Sequence, residues 1–170
     1  MKEAFTSGLG FAMSPNIDGY VLEQGYNETI EKNLIKNIPY MLGCTEHDIL
    51  GDPEEVKKGE KGELYEGGIR FSHMTEKLQQ SSAYVYYFTR NLPGDMAGAF
   101  HSSELWYVFG TLDHCWRPFS SADHKLSVQI ITFWTNFMKY ADPNRQNDPN
   151  VWKVSGNQKN LRFSVPFLRR

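Results

Sequence analysis

His101 is the residue of this 170-residue chain best suited by its surroundings to move a proton. It stands in a loop of small residues, Gly94, Ala97, Gly98 and Ala99, and the apolar aromatic run Leu105-Trp106-Tyr107-Val108-Phe109 follows it. Small neighbours let the backbone turn sharply and leave an imidazole unobstructed, as general acid–base chemistry requires. Glu104, three residues on, has two readings: it orients the loop, or it caps the next helical turn. No other residues form a comparable set. His114, Cys115 and His124 fit no tight ligand spacing, so no metal is expected. His47 and His73 read as surface residues, and the charged stretch Glu54–Lys61 reads as a solvated face. The aromatic run Tyr84, Tyr86, Tyr87 and Phe88 suits base stacking by composition, but in a near-neutral chain with a strand pattern it reads as core packing.

A proton-moving loop needs a rigid scaffold, and the chain is long enough for one domain with its own core. Hydrophobic residues at 40% and charged residues at 22% are ordinary for a soluble globular protein, while aromatics at 14% imply a large buried surface or an aromatic-lined pocket. A net charge of -2 gives no electrostatic reason to expect nucleic acid or an anionic membrane. No apolar run approaches the ~20 residues of a membrane span, and Met1–Ser7 lack the apolar core of a signal peptide. Cys44 and Cys115 are too few for a disulfide scaffold; they read as free thiols in a reducing cytoplasm, with a lone bridge as the alternative.

The scaffold reads as strands interleaved with helices. Ala83–Thr89 carries the strongest strand signal and ends in the turn Asn91–Asp95. Ile38–Gly43 reads as a short apolar strand, buried on both faces as in a parallel sheet. The best helix covers 122–140, where Leu126, Ile130, Phe133, Trp134 and Phe137 share one face. Ser120 with Asp123 predicts a capping-box start for it, and Asp142-Pro143-Asn144 a stop. A short helix is expected over Asn27–Leu34 with Asn27 as its N-cap, and a turn leading into an extended piece over Ser14–Leu22. The charged, glycine-rich stretch Asp48–Gly68 is expected to be mostly surface loop with some helix, and Leu161–Val165 to be a final short strand. Together these elements predict an α/β layered domain.

The segment Gly98-Ala99-Phe100-His101-Ser102-Ser103-Glu104-Leu105-Trp106-Tyr107-Val108-Phe109-Gly110 resembles the histidine motif of type-B carboxylesterases, the family that includes cholinesterases and p-nitrobenzyl esterases. Ser14-Pro15-Asn16-Ile17-Asp18-Gly19, Trp116-Arg117-Pro118-Phe119, Phe133–Phe137 and Asp142-Pro143-Asn144 with Trp152 resemble further segments of it. The likeness spans nearly the whole chain. It implies that residues 1–170 are the C-terminal portion of an α/β-hydrolase domain, with a few sheet strands and packed helices. By the resemblance, His101 takes the proton from a serine hydroxyl and returns it to the leaving alcohol. The family places an acid five residues after a glycine at a strand end. Counting from Gly43, that position is Asp48, in place of the more usual glutamate, and Ile49 replaces the glycine that usually follows. Glu46 is the nearest competitor. The acid's part is to accept the imidazole N–H, fix the tautomer and stabilise the imidazolium.

The nucleophile of such an enzyme stands on a G-x-S-x-G elbow. No serine of this chain has glycine both two before and two after it; Ser7 is nearest in kind, with Phe5 in the first glycine's place. A His-Gly-Gly oxyanion loop is absent as well. The acid-to-histidine interval is shorter than the family's, so ester specificity is not carried over. The chain is therefore expected to be the part of a carboxylic ester hydrolase that supplies acid and histidine toward a small-molecule carboxylic ester, with no metal or organic cofactor. The competing reading is a stand-alone, non-catalytic binding or assembly module, as in the family's adhesion-type relatives. In either case the strands at Ile38 and Tyr84 are expected to leave an apolar edge open to self-association or to a complementary N-terminal fragment.

Overall fold

A computed structural model of the chain describes residues 16–49, 54, 58–81, 83–144, 152 and 161–163, the last three as backbone. Ser7, Ser14, Pro15, Ser164 and Val165 lie outside the described residues. The chain divides into two compact units, residues 1–36 and 37–170.

The described part of the first unit is a turn and one short helix. Asp18 Oδ1 accepts the N–H groups of Tyr20, Val21 and Leu22 at 2.9, 2.8 and 3.2 Å. These bonds hold its carboxyl below the usual carboxylate range. Helix α1 covers Tyr26–Glu31 and is preceded by Gly25 as its N-cap, so Asn27 lies inside it. Ile30 is buried as expected, whereas Leu34 falls beyond the helix and is exposed.

In the second unit, strands β1 (Tyr40–Thr45), β2 (Ala83–Phe88) and β3 (Leu161–Phe163) form a parallel sheet with β2 in the middle. β1 begins after Pro39, which has no N–H to give to a ladder, and takes in Cys44 and Thr45 beyond the apolar run. Burial on both faces holds for β2, where every residue but Tyr86 is buried. β1 is half-buried over Tyr40–Leu42, and only Cys44 and Thr45 reach the interior. The difference follows from position. Among the described residues β1 pairs with β2 alone and is an edge, while β2 is paired on both sides, so the open edge expected at Tyr84 does not exist.

Two helices cover the sheet. Helix α2, Glu63–Lys77, packs on β1 and β2, and its first residues, Glu63–Gly68, fall in the stretch expected to be mostly loop with some helix. Gly67 and Gly68 disguise it, because glycine in a helix interior costs about 1 kcal/mol relative to alanine. For Gly68 the reason is tertiary: a Cβ there would stand 3.3 Å from Val85 Cγ1, so glycine lets the helix close on the sheet. A single turn, α3 (Leu105–Val108), leads through a 3-10 turn at Leu112–His114 to the long helix α4, Ser121–Tyr140. The capping box is present as expected, with Ser120 and Asp123 each accepting the other's backbone N–H, and the helix ends at Ala141 in the left-handed region.

β2 joins two cores, because its successive side chains face opposite ways. Tyr84 and Phe88 pack with Leu126, Ile130 and Phe133 of α4, and with Trp152. Val85 and Tyr87 pack on the other side with Cys44 and Tyr65. Cys44 is buried, Cys115 is half-buried, and both thiols are unpaired. Among the described residues no helix is long and apolar enough to cross a membrane.

Candidate active site

The end of β1 supplies an acid. Thr45 donates both its N–H and its hydroxyl to Asp48 Oδ2, each at 3.1 Å, and Ile49 N–H donates to Oδ1 at 2.8 Å. These donors fold the chain back on itself just past the strand and aim the carboxylate. Burial opposes its charge, but the N–H groups of Thr45 and Ile49, then His101 and the Thr45 hydroxyl, outweigh burial and hold Asp48 below the usual carboxylate range.

The histidine loop is anchored from two sides. Arg117 grips Asp95 through two nitrogens at 2.7 and 2.9 Å and donates to Pro93 O at 2.9 Å. At the far end, His47 N–H donates to Ala99 O at 2.9 Å, Ala99 N–H donates to His47 Nδ1 at 3.2 Å, and His47 forms a parallel bridge with Phe100. Gly98 makes this fit possible. Its φ is +71°, and a Cβ there would stand 2.7 Å from His47 Nδ1. Next comes a turn closed by Ser103 N–H to Phe100 O at 2.9 Å. Ser102, at φ 67°, takes the corner that favours glycine, and His101 occupies the corner before it.

These two loops bring together residues 53 apart in sequence: His101 Nδ1 lies 2.6 Å from Asp48 Oδ1. Of the two candidate acids, Asp48 is the one bonded to Nδ1. An ionised carboxylate only accepts, so the neutral imidazole carries its proton on Nδ1 and leaves a lone pair on Nε2. The imidazole side chain is 55% exposed and the carboxylate 11%. Nε2 has no hydrogen-bond partner among the described residues. Such a pair takes a proton at Nε2 while the carboxylate stabilises the resulting imidazolium.

Glu104 does not cap α3 with its side chain. Its Oε1 accepts from Tyr86 OH at 3.4 Å, and Oε2 is buried without a partner among the described residues. Burial raises its carboxyl above the usual range, and the charge of Asp48 adds to the rise. Burial also pushes the Cys44 thiol up to about 12, with the charges of Asp48 and Glu104 adding to it, so the thiol stays protonated at neutral pH.

Sequence reasoning missed two features that hold the site. One is His47, whose exposure hides its bonds to the histidine loop. The other surrounds Asp123, which the sequence identified only as a cap. Its fully buried carboxylate accepts from Arg90 Nε and Nη2 at 2.7 and 3.2 Å, from Tyr107 OH at 2.8 Å, and from Ser120 N–H and Oγ at 2.8 and 2.7 Å. Burial opposes its charge, but these donors drive the carboxyl far below the usual range. The cluster ties the exit of β2 to α3, and α3 directly follows the His101 turn. His124 lies 3.5 Å from Asp113 at the surface, and no metal-holding group of three His, Cys, Asp or Glu exists among the described residues.

Residues 63–165 match the model of the carboxylesterase family. The chain belongs to that family. Among curated relatives, the bile salt-activated lipase of Rattus norvegicus is 30% identical over 110 residues, a match covering 58% of this chain and 18% of the lipase. Neuroligin-2 of Homo sapiens is 39% identical over 77 residues, covering 39% of this chain and 9% of that protein. Among solved structures, a carboxylesterase of Geobacillus stearothermophilus superposes with a TM-score of 0.67 at 20% identity, covering 96% of this chain and 44% of the other. The family read from the histidine motif is thus borne out, as is the α/β-hydrolase fold. The carboxylesterase-family chain spans less than a fifth of these curated relatives and less than half of the solved structure.

Proposed function

We propose that the chain supplies the general base and its orienting acid to a carboxylic ester hydrolase, His101 being the base and Asp48 the acid. The observation that carries this reading is the 2.6 Å bond between His101 Nδ1 and Asp48 Oδ1, with Nε2 left on an exposed imidazole. The serine comes from a portion outside this chain, since no serine here stands on the required elbow. That serine's Oγ attacks the ester carbonyl carbon as its proton passes to His101 Nε2, and the carbonyl electrons move onto oxygen. Collapse of the tetrahedral species breaks the ester C–O bond, and the departing alkoxide takes the proton back from Nε2. Water repeats the sequence on the acyl-enzyme and releases the acid.

The serine-bearing portion adds to the outer edge of β1, which pairs with β2 alone among the described residues. The reading is tested by co-expressing the chain with a serine-bearing carboxylesterase segment and following hydrolysis of a p-nitrophenyl ester. Turnover is expected that falls at least 10³-fold, on the order of a lost triad member, in His101→Gln. Turnover unchanged by that substitution, or a stoichiometric fluorophosphonate adduct on the chain by itself, overturns it.

A further inference from the structure

We propose that His47 is a positioning residue for the Asp48–His101 pair, clasping the loop that carries the histidine to the loop that carries the acid. The inference rests on the reading of that pair as a base and its orienter. Asp48 and His101 stand on separate segments, and a displacement of either by about 1 Å breaks their bond. His47 links the two segments. Its N–H donates to Ala99 O at 2.9 Å, and its ring Nδ1 accepts from Ala99 N–H at 3.2 Å, so one residue satisfies both polar groups of one peptide position. The clasp lies next to the chemistry at both ends: His47 immediately precedes Asp48, and Ala99 stands two residues before His101.

The opposing backbone is shaped to the ring. Gly98 adopts φ +71°, and a side chain there would collide with the imidazole, its Cβ only 2.7 Å from Nδ1. His47 itself is exposed, so its ring does not serve as core packing. A polar, exposed ring that accepts a backbone N–H in a pocket left open by glycine acts through that bond.

The geometry also fixes where the protons are. As neutral rings, His47, accepting at Nδ1, carries its proton on Nε2, and His101, facing a carboxylate that only accepts, carries its proton on Nδ1 and leaves Nε2 bare. Two histidines of one site hold opposite tautomers. Only in its Nε2–H form does His47 hold Ala99, and only in its Nδ1–H form does His101 present a proton acceptor at Nε2.

The test is nitrogen-15 NMR of the ring nitrogens in the full chain, together with amide hydrogen exchange at Ala99. The unmutated chain is compared with His47→Ala and His47→Asn. Opposite tautomers are expected in the unmutated chain. In His47→Ala, the Ala99 amide exchanges about tenfold faster, as loss of one hydrogen bond predicts, and His101 no longer holds a single Nδ1–H tautomer. Asn Oδ1 takes nearly the place of Nδ1 as an acceptor, so His47→Asn restores both. A proton on His47 Nδ1 in the unmutated chain overturns the proposal, and this holds even where a variant fails to fold. So does a His47→Ala chain whose His101 keeps its tautomer, or a His47→Asn chain that protects Ala99 without restoring His101. An unmutated chain in which His101 carries no Nδ1 proton sinks the general-base reading instead. The bond from Ala99 to His47 remains measurable by itself, so the two failures are distinguishable.

Discussion

Asp48 and Asp123 are both carboxylates surrounded by donors and both held in the charged form, yet they stand in opposite settings. Asp123 is fully buried, and its partners keep their protons: the Arg90 guanidinium never gives one up, and burial raises the Tyr107 phenol well above its ordinary range. That cluster has one state and acts as a tie. Asp48 faces the half-exposed imidazole of His101, whose second ring nitrogen is open to take or release a proton. That pair has two states. Whether a well-held carboxylate is structural or handles protons depends on what faces it, more than on how many donors it has.

The largest test of this contrast is Asp123→Ala. It strips Arg90 and Tyr107 of their buried acceptor and removes the α4 cap, and is expected to cost about 3–5 kcal/mol in urea unfolding. A loss under about 1 kcal/mol would erase the distinction. Gly98→Ala comes next, at about 1–3 kcal/mol, because it forces a side chain into the left-handed region and against the His47 ring. Its effect should be specific: amide exchange should speed up at Ala99 and remain slow along α4.

Acid separates the two carboxylates more gently. Each has a folded-state pKa below its unfolded value, so each contributes stability that is complete above about pH 4 and is lost as the pH falls through the folded value. Asp123 is held far lower than Asp48. The His101 bond should therefore release first on acidification, with the α4 cap intact, as followed by NMR of His101 and of the Ser120 amide. Simultaneous loss of both would contradict the contrast. The smallest effect is expected from His124→Ala, which removes an exposed contact with Asp113 and should shift stability by no more than about 0.5 kcal/mol.

What the sequence disclosed follows the range of the interactions. The capping box at Ser120 and Asp123 was legible because two residues three positions apart decide it, and the apolar faces of β2 and α4 because their periods are local. The other partners of Asp123 were not, since Arg90 and Tyr107 lie 33 and 16 residues away and only the fold brings them together. The start of helix α2 was hidden by Gly67 and Gly68, and at Gly68 the close approach to Val85 overrides propensity. The strand at Ile38 was placed two residues early because its hydrophobicity outweighed the missing N–H of Pro39; β-branched Thr45 was the available sign of its true end. His101 was legible from its loop of small residues and Asp48 only through resemblance to a motif, and their 2.6 Å approach is the part that only coordinates supply. His47 carries no local signal, since an exposed histidine bonded to a distant amide looks in sequence like any surface histidine.

The two thiols offer a practical consequence. Alkylating reagents consume thiolate, and Cys44, buried and with its thiol pushed up to about 12, has next to none at neutral pH. A maleimide dye will therefore attach at half-buried Cys115, two residues before the arginine that grips the histidine loop. The natural chain thus comes with its own single attachment point for a fluorophore, close to the segment whose motion matters most, and needs no engineered cysteine to report on it.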